Sequence, residues 1–190
     1  MDGQEILKIF KDSKALLEGH FVLSSGLHSP KYLQCALLLQ NPKMAEKLCT
    51  SLADKFRKEN PSVIVAPALG GVIVSHEVAR ALGVRSIFTE REDGKMCLRR
   101  GFSLSSADRA VIVEDVITTG GSTKEVIDIV KEYGANIVGI GCIADRSKGK
   151  IDFGFRYENL IKIDIPTFNP AECPLCKQGL PLVKPGSRKK

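Results

Sequence analysis

The stretch VIVEDVITTGGST, residues 111–123, decides how this chain is to be understood. Val111-Ile112-Val113 is apolar and β-branched, the composition of a buried strand. Glu114 and Asp115 arrive at its carboxyl end, and Thr118, Thr119, Gly120, Gly121, Ser122 and Thr123 follow, just before a helical pattern. In an open parallel sheet, ligands bind where strands end and helices begin. Glycines let the backbone approach an anion, and the N–H groups and dipole of a helix start favour phosphate there. Two carboxylates beside such a loop would repel the phosphate, so they should face another part of the ligand. Vicinal sugar hydroxyls suit them, as does a Mg²⁺ ion. The segment therefore describes a site for a phosphorylated, hydroxyl-rich ligand. It is not a P-loop, for no Gly-Lys-Ser/Thr occurs, nor a dinucleotide fingerprint, for G-x-G-x-x-G is absent here. An acidic turn before a capped helix is the plain alternative. The full run of strand, acid pair, hydroxyl–glycine loop and helix is hard to assign to capping alone.

The same alternation extends outward. Val63–Ala66 is an apolar run ending in Pro-Ala-Leu-Gly-Gly, followed by a helical stretch to Leu82. Val84–Thr89 is a further strand, and Ala110–Val113 leads to a helix from about Ser122 to Tyr133. Asn136–Ala144 is another strand, with Gly134 as the stop of the preceding helix. Short β-rich runs alternating with helices predict an α/β fold, a central parallel sheet flanked by helices. Nearer the start, residues 4–17 carry Ile6, Leu7, Ile9, Phe10, Leu16 and Leu17 at helical spacing. A turn-rich stretch from Gly19 to Pro30 then interrupts two short extended pieces. Pro42 opens a second helix to about Lys58, with Met44, Leu48, Leu52 and Phe56 on one face.

A chain of 190 residues fits one domain with one core. The first residues, MDGQEILKIFKDSK, are charged throughout and contain no apolar h-region, which speaks against a signal peptide. No apolar run approaches the ~20 residues of a membrane span. With no secretory signal, the six cysteines are expected to be reduced, and the location cytoplasmic. The net charge of +6 lies partly at Arg91–Arg100 and partly in Lys184, Arg188, Lys189 and Lys190. Nucleic acid and a phosphorylated small molecule would attract such charges equally, and composition does not choose between them.

VIVEDVITTGGS resembles the phosphoribosyl-diphosphate (PRPP) signature of the type I phosphoribosyltransferases. FVLSSGLHSPKYLQ at 21–34, APALGG at 66–71, the basic stretch from Arg91 and ADRS at 144–147 follow in the order found in the orotate-specific members. The tail ECPLCKQGLPLVKPGSR resembles a short bacterial and archaeal form. The resemblance covers about residues 15–150. It implies the type I fold with a small hood subdomain: one domain over 1–190, residues up to about 35 forming the hood and base-side wall, and 168–190 a tail.

It implies, further, Mg²⁺-dependent transfer of phosphoribosyl from PRPP to orotate in pyrimidine synthesis. Glu114 and Asp115 would hold the ribose hydroxyls. The loop Val116, Ile117, Thr118, Thr119, Gly120, Gly121 and Ser122 would hold PRPP, with the 5-phosphate on Thr118–Ser122. Thr118, Tyr32 and Arg146 would contact orotate, with Leu33 beside Tyr32 against the ring. Arg146 suits the base's carboxylate, because a guanidinium fork matches a planar carboxylate. The plain alternative for Arg146 is a surface pair with Asp145. Arg91, Lys95, Arg99 and Arg100 would form a basic loop closing over the diphosphate and reaching the partner of a homodimer, with Lys95 and Asp115 as the catalytic pair. Mg²⁺ would be held through PRPP rather than by protein ligands, and neither nucleic acid nor membrane is an expected partner. Many relatives carry Lys where this chain has Ser24 and Gly70, and no hood histidine is found near Cys97.

Cys173-Pro-Leu-Cys176 is half of a zinc site, but no second pair of suitable spacing exists, so two thiols are expected. His20, His28 and His76 are isolated in sequence and are expected to carry no chemistry.

Overall fold

In a strand buried on both faces, successive side chains enter opposite halves of the core. The computed structural model follows this rule in its two central strands. It describes residues 1–23, 25–147, 149 and 151–185; Ser24 and the basic residues Arg188, Lys189 and Lys190 lie outside the described residues. In order, the chain forms α1 (Gly3–Asp12), β1 (Leu16–Val22), β2 (His28–Leu33), α2 (Cys35–Leu39), α3 (Pro42–Asp54), β3 (Val63–Pro67) and α4 (Gly70–Leu82). It continues through β4 (Arg85–Glu92), β5 (Lys95–Leu98), β6 (Arg109–Ile117), α5 (Gly121–Glu132), β7 (Asn136–Asp145), β8 (Tyr157–Lys162) and α6 (Pro174–Lys177). The main sheet runs β5-β4-β3-β6-β7-β8, all neighbours parallel except the β4–β5 pair.

Ile64 and Ala66 of β3 and Val111 and Val113 of β6 meet Leu48 and Leu52 of α3 and Val74 and Val78 of α4 on one face. Val63, Val65, Ala110 and Ile112 meet Val126, Ile127 and Val130 of α5 on the other. Each such fully buried aliphatic side chain stabilises by about 1.5–3 kcal/mol relative to exposure. Together the two layers hold β6 rigidly, and its carboxyl end carries the acid pair.

The expected helix over 4–17 is shorter than its periodicity suggests. Asp2 caps α1 by accepting from the Glu5 N–H at 2.8 Å. The helix ends at Asp12, because Lys14 takes a left-handed backbone (φ 55). Leu16 and Leu17 then belong to β1, which pairs antiparallel with β2 in a separate two-stranded hood sheet. The helix from Pro42 likewise stops at Asp54, before a 3-10 turn at Arg57–Glu59.

Two strands are absent from the sequence expectation. One is β8, on the outer edge beside β7. The other is β5: the basic stretch from Arg91 is not an open loop but the tip and return strand of a hairpin. Asp93 (φ 50) and Gly94 (φ 82) both take positive φ, the backbone a type I′ two-residue turn requires. The described part of the tail packs on the hood, through isolated bridges of Phe21 with Val183 and of His28 with Phe168.

Candidate active site

The acid pair lies within β6, which runs four residues beyond Val113, to Ile117, before the chain opens into the loop. Glu114 pairs in register with Cys142, Val116 with Ala144 and Ile117 with Asp145. Ile117 is buried in the core, and its carbonyl accepts the Arg146 N–H at 2.8 Å. Val116 also packs against the core. The side chains of both residues are thus structural. Thr118 and Thr119 emerge into solvent, followed by Gly120, whose left-handed φ of 75 turns the chain into α5. A Cβ on Gly120 would also lie 2.9 Å from the Phe153 ring, so both conformation and space demand glycine. Gly120 has no side chain to cap α5, which leaves the first-turn N–H groups, beside the Thr118, Thr119 and Ser122 hydroxyls, to an incoming anion.

Asp115 is half-buried, and its carboxylate accepts the Val116 N–H at 2.8 Å. Burial lifts its carboxyl above the usual Asp range, while the hydrogen bonds from Val116 and from Glu114 pull it back in part. The 66–71 segment closes on this group. A Cβ on Gly70 would fall 2.6 Å from Asp115 Oδ1 and one on Gly71 2.8 Å from the Ala66 Cβ. Glycine at both positions is what lets the start of α4 lie against the end of β6.

Arg146 follows β7 directly and is half-buried. It forms no ion pair with Asp145 among the described residues; Asp145 instead accepts the Ser147 N–H at 2.7 Å. Its Nε is buried with no hydrogen-bond partner among the described residues. Burial draws its guanidinium below the usual arginine value, and Tyr32 and Cys35 act against that shift. The Tyr32 hydroxyl is raised by burial, with Arg146 lowering and Asp115 raising it. The hood, the end of β7 and the end of β6 therefore bring Tyr32, Arg146 and Asp115 within electrostatic range. Leu33 does not join them. It alternates to the opposite side of β2 and is buried in the core at 4% exposure. Cys35, at the start of α2, is a neighbour that sequence reasoning missed, and burial raises its thiol well above the ordinary value.

The basic hairpin is internally paired. Arg91 binds the Glu125 carboxylate on α5 and donates to the Gly94 carbonyl at 2.8 Å. Arg99 lies 3.0 Å from Glu92, and Arg100 lies 2.9 Å from Glu90 with its guanidinium over the Phe88 ring. Lys95 opens β5 opposite Glu92 and is exposed. Exposed pairs of this kind are worth about 0–1 kcal/mol, so they hold the hairpin in place and yield readily to a polyanion. Sequence reasoning also missed that His20 and His28, far away in the chain, meet the Cys173/Cys176 pair where the tail joins the hood.

Known proteins bear on this geometry. Residues 36–171 match the model of the phosphoribosyl transferase domain. The orotate phosphoribosyltransferase of Caldicellulosiruptor bescii is 55% identical over 190 residues, covering 100% of both chains. That of Desulforamulus reducens is 54% identical over 188 residues, covering 99% of this chain and 98% of its own. In structure, orotate phosphoribosyltransferase from Aeropyrum pernix superposes with a TM-score of 0.72 at 24% identity, over 83% of this chain and 93% of that one; at this identity the likeness speaks for the fold. With the acid pair, the glycine loop and the sheet order already in place, these matches establish that the chain belongs to the phosphoribosyltransferase family.

Proposed function

We propose that the protein is an orotate phosphoribosyltransferase, joining orotate to the ribose of PRPP with release of diphosphate and formation of orotidine 5′-phosphate, on the route to UMP. The observation that carries this choice of base is the Nε of Arg146, buried near Tyr32 with no partner among the described residues. A buried donor without an acceptor is costly, and a planar carboxylate offers the acceptor that a guanidinium fork fits. Orotate has that carboxylate; a purine base does not. Relatives of the same length that carry this activity in their names support the same choice.

The 5-phosphate would sit on the Thr118–Ser122 loop and the start of α5, and Glu114 and Asp115 would accept the ribose 2- and 3-hydroxyls. Orotate N1 attacks C1 of the ribose as the C1–O bond to diphosphate breaks, and the electron pair leaves with the diphosphate. If N1 is already deprotonated on binding, no general base is needed, and the chain's task is electrostatic. Asp115 and Glu114 fix a ribose that gains oxocarbenium character. The exposed Lys95 and Arg91, the latter released from Glu125, would meet the departing diphosphate, with Arg99 and Arg100 as further cations. Hairpin closure would exclude water that otherwise hydrolyses PRPP.

Mg²⁺ fits this arrangement as a guest of the substrate. The oxygens here are two carboxylates and several hydroxyls, hard donors suited to its water shell, and the one His/Cys/Asp/Glu group of three or more among the described residues lies elsewhere. Bound with PRPP, the ion would neutralise charge on the diphosphate. We also place the working unit as a homodimer. Leu69 and Ile73, 81% and 45% exposed within one turn at the start of α4, support a covered face beside the hairpin. Six free cysteines accord with a reducing, cytoplasmic setting.

The test is direct. The protein is mixed with PRPP, Mg²⁺ and orotate, and loss of orotate absorbance is followed beside parallel reactions with adenine, hypoxanthine and xanthine. Turnover of orotate alone is expected; turnover of a purine without orotate overturns the assignment.

A further inference from the structure

Four side chains outside the PRPP site converge where the tail crosses the hood. His20 comes from β1 and His28 from β2; Cys173 stands at the N-cap of α6 and Cys176 within it. One ligand atom from each lies within 4.8 Å of all the others. His20 Nε2 is 3.0 Å from His28 Nδ1, 3.6 Å from Cys173 Sγ and 3.7 Å from Cys176 Sγ. Cys176 Sγ is 3.3 Å from His28 Nδ1. An ion bonded at about 2.0–2.1 Å to nitrogen and about 2.3 Å to sulfur in a tetrahedron sets its ligands roughly 3.3–3.8 Å apart. Those four separations, 3.0–3.7 Å, stand close to such spacings, and the remaining two lie within 4.8 Å.

Hydrogen bonding fixes the imidazole of His20. Its Nδ1 lies 2.9 Å from the Leu180 carbonyl, an oxygen that can only accept, so Nδ1 carries the proton and Nε2 turns its lone pair into the cluster. A ring N–H held by a backbone carbonyl is the outer contact that orients a metal-bound histidine. His20, His28 and Cys173 are buried at 3%, 6% and 0% exposure, and Cys176 closes the group from the solvent side. Thiols are weak donors, so hydrogen bonds among these groups alone would satisfy them poorly. The cysteines are both free, in the Cys-x-x-Cys spacing common to zinc sites.

We propose that His20, His28, Cys173 and Cys176 form a structural site for one zinc-class ion. Imidazole and thiolate ligands favour zinc over magnesium, so this ion is distinct from the one that would travel with PRPP. Four protein ligands leave no open position for a substrate, which marks the site as structural. Its place says what it holds together. The ladder bonds of Val22 N–H to the Val183 carbonyl (2.9 Å) and of His28 N–H to the Phe168 carbonyl (2.9 Å) flank it. The ion would lock the tail onto the two hood strands, one of which carries Tyr32. The proposal does not depend on which base the enzyme uses.

The full chain, prepared without a histidine tag or chelator and under reducing conditions, is expected to hold about one zinc per chain by elemental analysis. Stripped protein titrated with Co²⁺ should develop the visible absorption of tetrahedral cobalt and a thiolate charge-transfer band, saturating at one equivalent per chain. Both should vanish in the Cys173→Ser/Cys176→Ser double variant. Stripping should lower the melting temperature by several degrees, and zinc should restore it. The proposal is overturned if stripped wild-type protein gives no tetrahedral cobalt spectrum, if the double variant gives the same one, or if stripping leaves the melting temperature unmoved. Should the double variant not fold, the Co²⁺ titration of the wild-type chain decides by itself.

Discussion

The Nε of Arg146 is buried without an acceptor among the described residues, and the carboxylate of a bound base would supply one. Arg146→Ala should therefore weaken orotate by about 3 kcal/mol, roughly a hundredfold, while PRPP affinity changes little. Separate titrations of the two substrates read this, and equal losses would count against the assigned contact. Arg146→Lys should recover only part, since a point charge cannot reproduce the fork. A second residue-scale prediction concerns pH. Burial raises the Asp115 carboxyl in the free protein, so its proton is held to higher pH than in an ordinary Asp. The ionised form is the one that would accept ribose hydroxyls. PRPP affinity should thus be full when pH is above the raised value and fall as pH drops through it, before ordinary carboxylates titrate. Followed downward from neutrality toward the range of ordinary carboxylates, the wild-type fall should exceed that of Asp115→Asn, whose affinity is low throughout and changes only with the substrate's own phosphate. A wild-type profile flat over this range would remove Asp115 from the ribose contact.

Elements explain which parts of the site were legible in the sequence. β6 and α5 were legible because composition, acid pair and glycine loop all act locally, and the site lies where one element becomes the next. Tyr32 and Arg146 were placed by resemblance, and their convergence depends on how the hood folds over β7, which no local pattern encodes. The hairpin was missed although Asp93-Gly94 is a strong two-residue turn signal; its charges suggested a solvated loop, and the short β5 has little apolar alternation. The histidines beside the cysteine pair were missed for a different reason: 153 residues separate His20 from Cys173, and only the packing of the tail brings them together. Gly70 belongs to this scale as well, since it sets how closely α4 approaches β6. In Gly70→Ala the new Cβ collides with the Asp115 carboxylate, a short side chain that can rotate away. Stability should change by no more than about 1 kcal/mol, whereas PRPP binding should fall about tenfold or more as the carboxylate leaves its position. Thermal melts beside PRPP titrations distinguish this from general destabilisation; a large loss of melting temperature with PRPP affinity intact would contradict it.

At the scale of the whole molecule, the question is whose site the hairpin serves. Arg91 ties the hairpin to Glu125 of its own chain, beside the loop that would take the 5-phosphate, yet Lys95 next to the turn is exposed and has no ion pair among the described residues. Leu69 and Ile73, at the start of α4, present an exposed apolar face. In a two-fold dimer closed over that face, one chain's hairpin would stand over its partner's acid pair, as an isologous interface requires of both copies. Lys95→Ala and Arg146→Ala would then damage different sites of the same dimer. Each variant alone should be nearly inactive. Co-refolded in equal amounts, half of the dimers would be mixed, and each mixed dimer would contain one site with both lesions and one with neither. The mixture should therefore recover about a quarter of wild-type activity. If Lys95 serves its own chain, every site in the mixture carries one lesion and no activity returns. Light scattering on the same sample must show a dimer for the recovery to be interpreted, and a monomer of full activity would dismiss the trans arrangement outright.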